Sequence, residues 1–206
     1  IKMSFKPIKL MIDNAPSDKY TVVTDPPRFS WSVEQEDNAA AICAYRICVT
    51  DGERLLWDSG KQDGDLSAVY DGEKLNAGMR PKWQLTLWDN KGNTEDAFAE
   101  FHVVPKTIDA PWITKPNNER SCPIYLAKQF EITKDIKRAD LYVSGIGYQS
   151  VSINGHRADS SVLQPMTSNY KRQCYFVTLE AETLLKKGQN CIGVKLGDGW
   201  RRNYGN

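Results

Sequence analysis

From residue 42 onward the chain reads in twos. Across 42–50, Cys43, Tyr45, Ile47 and Val49 alternate with Ala44, Arg46 and Cys48, as a strand with one buried face requires. Trp83, Leu85 and Leu87 share a face of 83–89. Ala99, Phe101 and Val103 share a face of 99–104, with Glu100 and His102 pointing the other way. Between these runs lie the turn formers Asp51-Gly52, Ser59-Gly60, Asp71-Gly72 and Asn90-Lys91-Gly92-Asn93. Short strands at this spacing predict an antiparallel β-sandwich of immunoglobulin-like size over residues 1–105.

The pattern then breaks. Residues 105–123 hold four prolines and few apolar side chains, which predicts an extended connector at 106–122. Trp112 and Ile113 are unusual in a free linker and are expected to dock onto a flanking sandwich. After Pro123 the alternation returns in 125–132, 139–144, 148–153, 173–179 and 189–196. Asn154-Gly155 predicts a tight hairpin, because both residues tolerate the positive φ of a type I′ turn. Residues 180–188 read as a short helix, with Glu180 and Glu182 near its positive end, Lys186 and Lys187 near its negative end, and Gly188 as terminator.

A second β-built module is therefore expected over 123–206. Its last strand runs into an aromatic-rich turn with no partner in sight, which predicts that the chain is the front part of a larger polypeptide. An open sheet edge there would favour dimerisation, strand swapping or disorder near residues 197–206.

Charge narrows the choice of partner. Lys+Arg number 27 against Asp+Glu 26, and the basic pairs Lys171/Arg172, Lys186/Lys187 and Arg201/Arg202 are scattered, not gathered into a stripe. No nucleic-acid face is expected. No apolar run approaches the roughly 20 residues of a membrane span, and the first residues lack the apolar core of a leader. The chain is expected to belong to an exported protein of the periplasm or cell surface whose leader lies outside it. Of the five cysteines, Cys43 and Cys48 differ by an odd number of positions within one strand, so no bridge between them is expected.

Catalytic chemistry is poorly supplied. The two histidines, His102 and His156, fall in different modules, with no HExxH or Cys/His cluster, so no metal and no cofactor is expected. GIG at 145–147 lacks the rest of a dinucleotide fingerprint, and no GxSxG elbow is present. A pair of carboxylates at glycosidase separation stays open on sequence, although Asp51, Asp63 and Asp71 read as turn formers.

The aromatic residues are more suggestive. Trp83 reads as core, whereas Trp88 has the opposite parity and is either exposed or covered by another module. Trp200 stands in Gly-Asp-Gly-Trp-Arg-Arg-Asn-Tyr beyond a strand end. An exposed indole beside Arg, Asn and Asp can stack on a sugar face and hydrogen-bond its hydroxyls, or it can plug the sandwich end or pack on further chain.

Several strings resemble one family. PRFSWSV (27–33), AYRICV (44–49), LLWDSGK (55–61) and WDNKG (88–92) are followed by GIGYQSVSINGHRADSSVLQPMTSNYKRQCYFVTL (145–179) and KKGQNCIGVKLGDGW (186–200). In this order they resemble the N-terminal region of bacterial α-L-rhamnosidases, across essentially the whole chain. The resemblance implies a fibronectin type III-like module followed by a jelly-roll that is incomplete in this chain. It also implies a catalytic (α/α)6 barrel later in the same polypeptide, which hydrolyses terminal α-L-rhamnose with inversion. No catalytic residue carries over, and this chain alone is expected to be inactive.

Met166 stands where the family often has glycine, and Arg201 where an aromatic is usual. On this reading the partners are the catalytic domain of the same polypeptide and rhamnose-containing glycans, with Trp200, Arg201 and Tyr204 as candidate contacts to sugar or barrel. The competing readings are an independent carbohydrate-binding module and a surface adhesion module.

Overall fold

The computed structural model describes residues 5–17, 21–22, 25–35, 41–64, 66–114, 123–159, 161–197 and 199. The chain divides into two compact units, Ile1–Thr107 and Ile108–Asn206. Each is built of strands, and the described residues contain no α-helix.

The first unit holds β1 (Phe5–Ile12), β2 (Ala15–Pro16), β3 (Thr21–Val22), β4 (Arg28–Gln35), β5 (Ile42–Asp51) and β6 (Arg54–Asp58). It continues with β7 (Gln62–Asp63), β8 (Ser67–Val69), β9 (Lys82–Asp89), β10 (Thr94–Glu100) and β11 (His102–Val103). One sheet has the order β2-β1-β4-β8, and the other β10-β9-β5-β6, with β7 also on β5. A small parallel pair joins β11 to β3. Every other pairing in the unit is antiparallel.

The two sheets bury one face each, as the alternation requires. Phe29 lies at the centre, with ring centroids of Trp83 at 4.8 Å, Phe101 at 5.8 Å, Trp57 at 6.0 Å and Tyr70 at 6.3 Å. Ile47, Val49, Leu85 and Leu87 complete the apolar layer. The buried polar groups are spent inside the unit. Trp83 Nε1 donates to Ser17 Oγ at 2.8 Å, and the Ser17 hydroxyl donates in turn to the carbonyl of Glu100 at 3.2 Å. Buried Asp89 accepts from the backbone of Lys91 and Asn93 and from the Asn93 side chain, which closes the turn between β9 and β10.

Tyr70 makes this core sensitive to alkali. Its hydroxyl donates to the carbonyl of Glu73 at 2.7 Å. Burial, with a smaller contribution from the Glu73 charge, pushes its pKa from 10.0 up to about 12. The folded state therefore disfavours the phenolate that the unfolded chain forms more readily. Stability should hold below pH 10 and fall as pH rises toward 12. Tyr70→Phe is expected to cost about 1 kcal/mol at neutral pH and to flatten that alkaline decline. Urea melts from pH 7 upward test this, and an unchanged alkaline slope in the variant would remove Tyr70 as its source.

The second unit holds β12 (Ile124–Ile132), β13 (Asp140–Val143), β14 (Tyr148–Ile153), β15 (His156–Arg157), β16 (Val177–Glu180) and β17 (Gly188–Gly197). They form a four-stranded sheet, β12-β17-β14-β15, and a two-stranded one, β13-β16. The Asn154-Gly155 hairpin forms as expected, with φ of 52° and 85° and Ile153 paired to His156. The core here is thinner. Among the described residues its buried apolar side chains are Val151, Ile153, Ala181 and Pro165, while β13 is half-buried throughout.

Five expectations change. The last strand, expected to lack a partner, is β17, which pairs on both sides, with β12 and with β14, so it is not the open edge of its sheet. The helix over 180–188 is one turn only, in which the Leu184 and Leu185 amides both bond to the carbonyl of Ala181. Asn190 then takes the Lys186 amide and carbonyl onto its own side chain, which ends the turn before a second can form. The strand over 173–179 starts at Val177, because Ser168 and Ser144 hydroxyls occupy the carbonyls of Gln173 and Tyr175. In β5 the register shifts between Ile42 and Ala44, so Cys43 is exposed and Ala44 buried, against the simple alternation. Trp112 and Ile113 are exposed, not docked.

Candidate functional site

Trp200, Arg201 and Tyr204 lie outside the described residues. Gly199, just before them, is described. Gly199 has a φ of +52°, and a Cβ there would sit 3.1–3.2 Å from Tyr148 and Gly147. A side chain at 199 would therefore be strained in backbone and crowded against Gly147 and Tyr148, which favours glycine there.

The same unit presents a loop that sequence reasoning passed over. Val162, Leu163 and Met166 are 74%, 64% and 69% exposed. Leu163 adopts a φ of +62°, a left-handed conformation that costs a branched residue roughly 1–2 kcal/mol. The loop is braced on both sides. On one side, Arg157 donates to buried Asp159 at 2.7 and 3.0 Å and to the carbonyl of Ser161, and Asp159 also accepts from Val151 N. On the other, Gln149 N donates to Gln164 O at 2.9 Å, and Pro165 is fully buried. A rigid frame therefore holds three apolar side chains out in water. The available signal was the run Val-Leu-Gln-Pro-Met, apolar residues within a stretch otherwise rich in Ser, Asn and Thr.

In the first unit the outward face of the β10-β9-β5 sheet divides in two. One part is closed by its own pairs. Arg46 forms a two-pronged ion pair with Asp58, and Thr86 donates to Asp96 at 2.6 Å. The Arg46 hydrogen bonds, with a further one from Gly60 N, hold the Asp58 carboxyl well below the usual carboxylate range, while Asp58 raises the Arg46 guanidinium. Trp88 is half-buried on this outward face, with Lys61 Nζ 4.5 Å from its ring centroid. The other part surrounds Phe98, which shares its parity with Asp96 and Glu100 and is 71% exposed.

The carboxylates that stand out geometrically have structural work: Asp58 on Arg46, Asp89 in its turn and Asp159 under the loop. The described residues contain no cluster of His, Cys, Asp or Glu able to hold a metal ion. His102 is half-buried on β11, and His156 is exposed directly after the hairpin turn.

Comparison with known proteins places both units. Residues 10–103 match the Rha78A-like, N-terminal immunoglobulin domain, and residues 134–206 match the alpha-L-rhamnosidase N-terminal domain. Two curated alpha-L-rhamnosidases of Formosa agariphila are 28% and 30% identical over 91% and 84% of this chain. The solved structure of an alpha-L-rhamnosidase from Dictyoglumus thermophilum superposes with a TM-score of 0.84 at 25% identity, over 97% of this chain and 26% of its own. The chain spans about a quarter of the length of the curated relatives it matches, 24% and 21%.

Proposed function

We propose that this chain, which carries the immunoglobulin and N-terminal domains of α-L-rhamnosidases, supports and orients a catalytic domain borne elsewhere on the same polypeptide. That domain would be the helical barrel that hydrolyses terminal α-L-rhamnose. In this reading the chain has no catalytic residue of its own; its contribution is a rigid docking surface. The observation that carries the proposal is the braced loop at 162–166. Leu163 is held exposed in a left-handed conformation, and a covering surface would bury its apolar side chain and so offset the backbone cost. The thin core of the second unit supports the same reading.

The purified chain is expected to release no rhamnose from a nitrophenyl α-L-rhamnoside, and turnover by the chain alone would end the proposal. Supplied together with the remainder of the polypeptide, it should bind that remainder. Leu163→Asp combined with Met166→Asp should abolish binding without lowering the melting temperature. Equal binding by the double variant would take the loop out of the interface.

A further inference from the structure

We propose that the outward face of the first unit, around Phe98, is a binding platform for a neutral pyranose sugar. Pairing register builds the platform as two rows across three strands. Cys48, Gln84 and Phe98 are successive cross-strand neighbours, and beside them run Thr50, Lys82 and Glu100. Together they line a shallow concavity of about 440 Å³. That volume lies within the range of small-molecule sites, about 300–1,000 Å³.

The chemistry of the two rows selects the ligand. Phe98 offers a free ring face, on which the C–H groups of a sugar ring stack. Cys48 lies across Gln84 from it, at the border with the Arg46–Asp58 pair; burial, with the Asp58 charge, pushes its thiol up, so it adds no charge to the platform. Gln84 and Thr50 carry amide and hydroxyl groups suited to sugar hydroxyls. Lys82 and Glu100 stand directly opposite one another, and their charges cancel, which favours an uncharged ligand over an anion or cation. Among the described residues the side chains of Thr50, Lys82, Gln84 and Glu100 make no hydrogen bond or ion pair, whereas the adjoining pairs Arg46–Asp58 and Thr86–Asp96 are closed. Open polar side chains thus gather around the exposed ring. This platform is independent of the 162–166 loop and does not rest on the docking proposal.

The test is titration of the whole chain with L-rhamnose, methyl α-L-rhamnopyranoside and D-glucose, followed by amide NMR shifts. At least one sugar should bind saturably with a Kd of about 1–10 mM, with shifts at residues 48–50, 82–84 and 98–100. Phe98→Ala should weaken binding by about tenfold or more, and Phe98→Trp should retain it. Because Phe98 is exposed, the alanine variant should keep the parent melting temperature, and Gln84→Ala supplies a second weakening variant. Three results would overturn the proposal: no saturation by about 50 mM of any of the three sugars, unaltered binding in Phe98→Ala, or a change in oligomeric state as the variant's only effect.

Discussion

Phe29→Ala is expected to remove about 3–5 kcal/mol from the stability of the first unit, the cost of deleting a large buried aromatic ring. Four other rings surround Phe29 within 6.3 Å: Trp57 and Trp83 come from the facing sheet, and Tyr70 and Phe101 from the segments just after β8 and β10. Such a cavity cannot collapse cheaply, because Trp57, Tyr70, Trp83 and Phe101 are each fixed by their own strand or segment. Against a total stability of about 5–15 kcal/mol the loss approaches unfolding. Denaturant melts followed by tryptophan fluorescence report this unit well, since Trp31, Trp57, Trp83 and Trp88 all belong to it. Phe29→Leu should lose distinctly less. A loss below about 1 kcal/mol in Phe29→Ala would mean that the two sheets do not share this core.

Asn190→Ala should carry the second large cost, about 2–4 kcal/mol, and it should fall on the other unit. The Asn190 amide is buried; it accepts from Lys186 N at 3.0 Å and donates to the carbonyls of Lys186 and Gly188. Its oxygen also accepts from Asn154 Nδ2, which in turn bonds to Leu184 O, while Asn154 Oδ1 accepts from Cys191 N. Two asparagines thus tie the hairpin turn to the segment entering β17. Deleting one leaves several partners unpaired at once, which costs more than losing a single bond. Asn190→Asp keeps the acceptor but turns an oxygen toward two carbonyls, so it should not rescue stability. Hydrogen exchange at the amides of Lys186 and Cys191 reads the effect locally. Unchanged protection in Asn190→Ala would show that the network is not what orders this segment.

Much of this fold lies open in the residue pattern, and the failures share one cause. Strand β9 alternates through its length with Trp83, Leu85 and Leu87 inward, and the Asn154-Gly155 hairpin follows from the backbone freedom of two residues. Both are local properties. The helix expected at 180–188 had suitable charges at both ends, yet a side chain several residues further on took over its backbone groups. The bulge at Cys43 and the late start of β16 likewise depend on partners elsewhere in the chain.

The candidate sites divide in the same way. Phe98 could have been found from parity alone, as a ring on the face shared with Asp96 and Glu100, whereas attention to tryptophans passed over it. The concavity around it needs three strands set in register, and no single segment encodes that. Nothing in Val-Leu-Gln-Pro-Met announces that Leu163 is held in a left-handed conformation by Gln149 and a buried proline.

What the chain alone settled was which positions face inward, where it turns, and which family its strings resemble, because periodicity and turn chemistry act over a few residues. Only the folded molecule decided which side chains meet across strands, and which polar groups are spent and which stay free. Pairing joins residues far apart in sequence, and a shift of one position exchanges the two faces of a strand.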